Sequence, residues 1–290
     1  MTHLPDRAFI NCTSLVSVAF PRSLASIGSG AFEGCSSLSS IDLPAGLTSI
    51  GSRAFARCSS IARVTFAASL TSIGIYAFCS SLVSIELPEG LTSIGSEAFS
   101  GCTSLSSATL PAGLTSIGTQ AFYRCSALTF ITFPAGLTSI GYNAFASCSA
   151  LATVTFPASL TSIGMIAFAR CSSLSRVTFP AGLTSIGGWA FSGCSSLTRV
   201  TVPETATIRP NAFPPATTVL RLPPKRMHGL QRWHDAVDGA LAYKRCRPLL
   251  YCWLERAQTR LGSYGPDGAA RQRDLEEFEG DFAHLALHAD

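Results

Sequence analysis

Apolar residues return along most of this chain in a pattern that repeats every 23 positions. The pair Ala-Phe marks the period, with Phe at 9, 32, 55, 78, 99, 122, 145, 168, 191 and 213. Seven of the nine steps are 23 residues; the step from Phe78 to Phe99 is 21 and that from Phe191 to Phe213 is 22. A fixed period of this size points to a stacked-repeat architecture before any single element is assigned. One unit runs Cys35-Ser-Ser-Leu38-Ser-Ser-Ile41-Asp-Leu43-Pro44-Ala-Gly-Leu47-Thr-Ser-Ile50-Gly51-Ser-Arg-Ala54-Phe55. Its Leu-x-x-Ile-x-Leu stretch ends with apolar residues two apart, which is strand spacing. Pro44 has no N–H to give a ladder and is expected to stop the strand. Leu47-x-x-Ile50 makes a second inward-facing stretch. Gly51 is expected to allow a turn with positive φ, and Ala54 and Phe55 to fill the core from the far side. About eight apolar side chains per coil cannot offset the ordering of 23 residues in isolation. Stability must come from stacking on neighbours. Ten coils about 4.8 Å apart would extend for roughly 50 Å.

The recurrent L-x-x-I-x-L-P, L-T-S-I-G, A-F and Cys elements resemble the BspA-like class of leucine-rich repeats, also described as the Treponema-type repeat. The resemblance covers residues 1 to about 224 and rests on ten agreeing registers. It implies a repeat solenoid, a right-handed superhelix with a parallel β-sheet on its concave face. It also implies protein binding, often at cell surfaces.

Nine cysteines share one repeat position: Cys12, Cys35, Cys58, Cys79, Cys102, Cys125, Cys148, Cys171 and Cys194. A spacing of 23 is not zinc-ligand spacing, and no C-x-x-C pair exists. Stacking brings neighbouring thiols near enough to bridge, but in-register side chains point the same way and nine is odd. The pattern predicts a buried ladder of small, reduced, weakly donating side chains that ties down the turn. Unpaired thiols favour a reducing compartment.

Positions that differ between near-identical coils are expected to be exposed, and two sets emerge. One is the strand face, where Arg63, Phe130, Arg176 and Arg199 interrupt rows of Ser and Thr. The other is the pair of residues after the repeat Gly, with those after Phe: Ile75, Tyr76, Tyr123, Arg124, Tyr142, Met165, Ile166 and Trp189. Tyr, Trp, Met and Arg are interface-enriched types. The candidate contact set is therefore Tyr76, Tyr123, Arg124, Tyr142, Met165 and Trp189, with the strand-face residues as the rival surface. Packing of these side chains on neighbouring coils or on the C-terminal segment is the plain alternative.

After Pro223-Pro224 the repeat stops. Residues 225–290 carry three helical patterns: Met227, Leu230, Trp233, Val237 and Leu241; then Leu249 to Leu261 after Pro248; then Leu275 to Leu285. A breaker, Gly262 to Gly268, separates the last two. The expected role is a helical cap over the last coil, or else a small module of its own.

Composition narrows the function. Only 13% of residues are charged and the net charge is +4. That gives no case for nucleic acid or an anionic membrane as the main partner. No apolar run approaches the roughly 18 residues of a membrane span. The start lacks the basic and apolar blocks of a secretory signal and opens inside a repeat, so the first coil is uncapped or the true start lies upstream. A cytoplasmic setting is favoured on the sequence as given; an upstream start would leave the cell surface open. Phosphate loops, nucleophile elbows, zinc motifs and kinase signatures are all missing. His284 and His288 have i, i+4 spacing but sit near the chain end. No cofactor, metal, catalytic residue or small-molecule substrate is expected. The leading expectation is a non-enzymatic protein-binding scaffold. The alternatives are a surface adhesin or antigen, and a recently duplicated array without a partner. Ice binding by Thr rows needs a flat regular face, which Arg63, Glu86 and Phe130 interrupt.

Overall fold

A computed structural model describes residues 2–78 and 81–227. These belong to one compact unit, Met1–Met227. The three helical patterns of the C-terminal segment lie outside the described residues, apart from a helical turn over residues 224–227. Met227 at its end is buried in the array's core cluster.

The array is a parallel β-solenoid of about nine turns. The Leu-x-x-Ile-x-Leu stretch forms short strands, from Ser40–Asp42 and Arg63–Thr65 to Arg199–Pro203 and Thr218–Leu222. Each pairs in parallel with at least one neighbouring coil, Ser40 facing Arg63 and Thr153 facing Arg176, and the ladder breaks into four short sheets. Alternation is clean, with Ile41 or Val64 buried between exposed neighbours. Strands end before the proline in every coil but one. In Arg199–Pro203 the strand continues through Pro203, opposite Leu222. A parallel strand does not need every N–H for one neighbour, so the missing donor is tolerated there.

The Leu47-x-x-Ile50 stretch is also a strand ladder, which its sequence pattern had shown only as a buried run. Ser26–Ile27, Ser49–Ile50 and Ser72–Ile73 pair in register, as do the two-residue strands from Ser93–Ile94 to Ser185–Ile186. In six coils the Thr before the Ser adds a side-chain rung. Thr71 donates its hydroxyl to the Thr48 carbonyl at 3.1 Å, and Thr184 to that of Thr161 at 2.8 Å.

Between these sheets lies the core. In one coil Cys35, Leu38, Ile41, Leu43, Leu47, Ile50, Ala54 and Phe55 are all buried, the eight inward side chains the pattern called for. The ten repeat phenylalanines form one continuous stack. Adjacent ring centroids lie 5.1 to 5.7 Å apart, and the rings tilt by no more than 15°. Phe66, Phe133, Phe156 and Phe179 meet this stack edge-on, the preferred alternative geometry for aromatic pairs. The widest step, 5.7 Å, joins Phe78 to Phe99 across the 21-residue repeat. Pairing in both sheets is interrupted at the same place, between Arg63–Thr65 and Ser84–Glu86 and between Ser72–Ile73 and Ser93–Ile94.

The repeat glycine has a different role from the one expected. Gly51, Gly141 and Gly187 do not have positive φ. They face the backbone of the preceding coil so closely that a Cβ on Gly51 would lie 2.6 Å from the Gly28 carbonyl carbon, and one on Gly187 2.4 Å from the Met165 nitrogen. Absence of a side chain, not freedom of φ, is what the site requires. The left-handed residue comes two positions later, at Arg53, Tyr76, Gln120, Ile166 and Trp189, and again just before the cysteine, at Arg57, Arg124 and Arg170.

The cysteines have a stacking role. Six thiols donate to the carbonyl oxygen of the phenylalanine one coil earlier, among them Cys35 to Phe9 at 3.1 Å, Cys58 to Phe32 at 3.0 Å, Cys125 to Phe99 at 3.3 Å and Cys194 to Phe168 at 3.2 Å. Burial pushes the Cys125 thiol up to about 12 and Cys148 well above the ordinary thiol range. A side-chain hydrogen bond with Cys194, followed by burial, raises Cys171 likewise. The buried reduced ladder thus holds for seven of the nine. Cys12 is exposed, because it stands in the first coil with no phenylalanine carbonyl before it, and Cys79 lies outside the described residues.

Candidate interaction surface

The stretch from the repeat Gly to the Cys is a chain of tight turns. In the coil of Phe122, Ala121 donates to the Gly118 carbonyl, Tyr123 to that of Gln120 and Cys125 to that of Phe122. The other amides reach forward. Gln120 donates to the Tyr142 carbonyl at 2.8 Å, Phe122 to Ala144 at 2.8 Å and Arg124 to Ala146 at 2.9 Å. Alternate residues therefore lock each turn to the next coil, and most side chains at the left-handed positions project outward, the buried Asn143 being an exception. The backbone of this edge is fixed while its side chains are free to vary.

Left-handed φ costs a non-glycine residue about 1–2 kcal/mol. Asn143 and Asn211 are types that tolerate it; Tyr76 at 56°, Ile166 at 62° and Trp189 at 55° are not. The Tyr76 and Trp189 side chains do not recover the cost through burial. Trp189 is 46% exposed, Met165 43% and Tyr142 41%; Ile75 and Tyr76 are exposed too, and Ile166 is half-buried.

The structure brings only some of the candidate residues together. Tyr142, Met165, Ile166 and Trp189 lie on three consecutive coils, held side by side as the Asn143 amide donates to Met165 and the Ile166 amide to Gly188, both at 3.0 Å. Gly188 leaves the place beside Met165 without a side chain. Tyr76 stands three coils earlier, beyond Ser96, Glu97, Thr119 and Gln120, with the Arg53 guanidinium 5.7 Å from its ring centre. Tyr123 and Arg124 occupy the second bend of the intervening coil. Arg124 covers the half-buried Tyr123 ring at 5.1 Å. Sequence reading passed over Arg170, which shares the left-handed register of Arg124 two coils on; the signal was the repeat position itself.

The rival strand face is more scattered. Arg63, Phe130, Arg176 and Arg199 are all exposed, Phe130 at 54%. Arg176 and Arg199 stand on consecutive coils. Phe130 is two coils from Arg176, and Arg63 three from Phe130. Where the 21-residue repeat interrupts the sheet, a cleft of about 430 Å³ opens, lined by Arg63, Val64, Thr65, Phe66, Ser84 and Glu86. The two-residue shortening was its only trace in the sequence. Among the described residues no group of three or more His, Cys, Asp or Glu could hold a metal ion, and no helix is long and apolar enough to cross a membrane.

Fold, repeat and ladders together define a leucine-rich-repeat solenoid. Its sequence matches the BspA type leucine rich repeat region in six copies, over residues 2–129 and 92–219. The chain belongs to that family. Among solved structures it is similar to a leucine-rich repeat protein from Bacteroides ovatus, with 30% identity and a TM-score of 0.60, over 76% of this chain and 66% of that one. It thus spans just under two thirds of that protein's length. It is also similar to a leucine rich cell surface protein from Faecalibacterium prausnitzii (29% identity, TM-score 0.43, 74% of each chain). A third is the T. pallidum leucine rich repeat protein (26% identity, TM-score 0.36, 71% of this chain and 73% of that one). Among curated proteins none matches.

Proposed function

We propose that this chain is a non-enzymatic scaffold that binds a protein partner along its turn edge, with Tyr142, Met165 and Trp189, joined by Ile166, as the central contacts. Tyr76, Tyr123 and Arg124 contribute further along the same edge. One observation carries the reading. Large apolar side chains sit exposed on adjacent coils, and Trp189 with the half-buried Ile166 occupies left-handed positions that glycine or asparagine would fill at lower cost. Strain of this kind, without packing to account for it, collects at functional sites. Leucine-rich-repeat solenoids act in general as interaction scaffolds.

The test compares two double variants once a partner is isolated with the full chain. Trp189→Ala with Tyr142→Ala is expected to weaken binding by a factor of about 30 or more, since one interface anchor is worth about 2 kcal/mol. Arg176→Ala with Arg199→Ala is expected to change it little. A large loss confined to the arginine pair would move the site to the strand face and overturn the edge assignment.

A further inference from the structure

Charge is divided unevenly along the array, and the whole-chain value of +4 hides it. Residues 1–97 carry six acidic and five basic side chains. From residue 98 to 203 there is no Asp or Glu at all, while Arg124, Arg170, Arg176 and Arg199 fall in that span. Extending to residue 227 adds one acid, Glu204, and four bases, Arg209, Arg221, Lys225 and Arg226, so residues 98–227 carry a net +7. The exposed Tyr142, Met165 and Trp189, with the half-buried Ile166, lie inside this acid-free half. Arg124 and Arg170 are both exposed at the second bend of the same edge. They sit two coils apart, about 10 Å at the usual strand spacing, on either side of Ser147.

We propose that the turn edge around Trp189 recognises an acidic protein segment that carries apolar side chains between its carboxylates. The inference rests on the edge reading above and adds the partner's chemistry. Two features select it. Aliphatic Met165 and Ile166 beside aromatic Tyr142 and Trp189 suit peptide side chains better than sugar rings, which use aromatic faces alone. The cations are too sparse for a polyanion: Arg124 and Arg170 are separated by a coil with none, whereas a sulfated glycan presents charge at nearly every residue. A peptide in the polyproline II conformation, with three residues per turn and a rise of about 3.1 Å each, presents carboxylates three positions apart on one face at about the separation of these two coils. With no neighbouring acid on their coils, both remain available for charge-assisted hydrogen bonds.

The experiment selects a random 12-residue peptide library on the immobilised full chain, then titrates one enriched peptide. Sequences rich in Asp or Glu with Leu, Phe or Tyr are expected. The enriched peptide should lose about tenfold in affinity when its acids become Asn or Gln, and about tenfold against Arg124→Gln with Arg170→Gln. Affinity should also fall from 50 to 500 mM NaCl. Selection of neutral or basic sequences whose binding is lost in Trp189→Ala with Tyr142→Ala would overturn the charge proposal and leave the edge reading standing. Acidic sequences that respond only to Arg176→Gln with Arg199→Gln would overturn both placements. A heparin dodecasaccharide that binds more tightly than every selected peptide would make the partner a glycan and overturn this proposal.

Discussion

At the scale of single residues, the fixed positions serve contact between coils. A glycine at the Gly141 position is forced by the backbone beside it, where an added Cβ would stand 2.8 Å from the Gly118 carbonyl carbon. Gly141→Ala is therefore expected to destabilise the array by about 1–3 kcal/mol, as overpacking does. Gly113→Ala, whose new Cβ would meet only the Glu89 carbonyl oxygen at 3.5 Å, should stay within about 0.5 kcal/mol of the parent. Urea unfolding of both variants measures the difference; equal midpoints would contradict the close-approach account. The thiols make a second residue-scale prediction. In the unfolded chain a thiol ionises near pH 8.5, whereas in the array Cys125 holds its proton to about pH 12. Above pH 8.5 the unfolded state binds fewer protons than the folded one, so stability falls as pH rises. Each such thiol contributes a slope of about 1.4 kcal/mol per pH unit between those limits and nothing below them. The melting temperature should fall between pH 8 and pH 10, and Cys125→Ala should shallow that fall. A flat alkaline profile would mean the ladder thiols are not held protonated by burial.

At the scale of the element, the coil was legible from its sequence because its apolar positions recur ten times. Leu38, Ile41 and Leu43 showed strand spacing, and Phe55 showed the far wall. The second sheet was less visible, since two-residue strands such as Ser49–Ile50 are too short to show alternation. Gly51 was assigned to a turn because glycine serves positive φ and close approach alike, and sequence cannot separate the two. The proposed contact set was half legible. Variation among coils marked Tyr142, Met165 and Trp189, but only the coil register shows that Tyr76 stands apart and that Arg170 joins Arg124. The 21-residue repeat has an energetic consequence. With both sheets interrupted between Ile73 and Ser93, that junction lacks rungs that other coils have. Hydrogen exchange should be fastest there among the interior coils, because local opening follows the fewest backbone hydrogen bonds. Uniform protection from Ile27 to Ile186 would show that the Phe78–Phe99 contact and the few hydrogen bonds that cross the junction, such as Phe78 to Ala98, suffice to hold the two segments together.

At the scale of the molecule, stacking and the proposed recognition use different residues. Phenylalanine rings, cysteine thiols, glycines and threonine hydroxyls join one coil to the next, and the turn edge is left to vary over a backbone that those contacts already fix. This division explains how near-identical coils can carry Tyr142, Met165 and Trp189 without loss of register. The last described strand, Thr218–Leu222, exposes Val219 and Leu220 and pairs with Arg199–Pro203. Deleting residues 225–290 is expected to promote self-association through such a strand edge, as light scattering would show; a monomer with an unchanged melting temperature would mean that the segment is no cap. The most direct test of the division itself is calorimetry of the full chain with Tyr76, Ile166 and Trp189 all replaced by glycine. If these side chains belong to recognition alone, relief of left-handed strain offsets the added freedom of glycine in the unfolded chain. The melting temperature then stays within a few degrees of the parent or rises. A fall of ten degrees or more would show that they hold the coils together, and would contradict the assignment of the turn edge to binding.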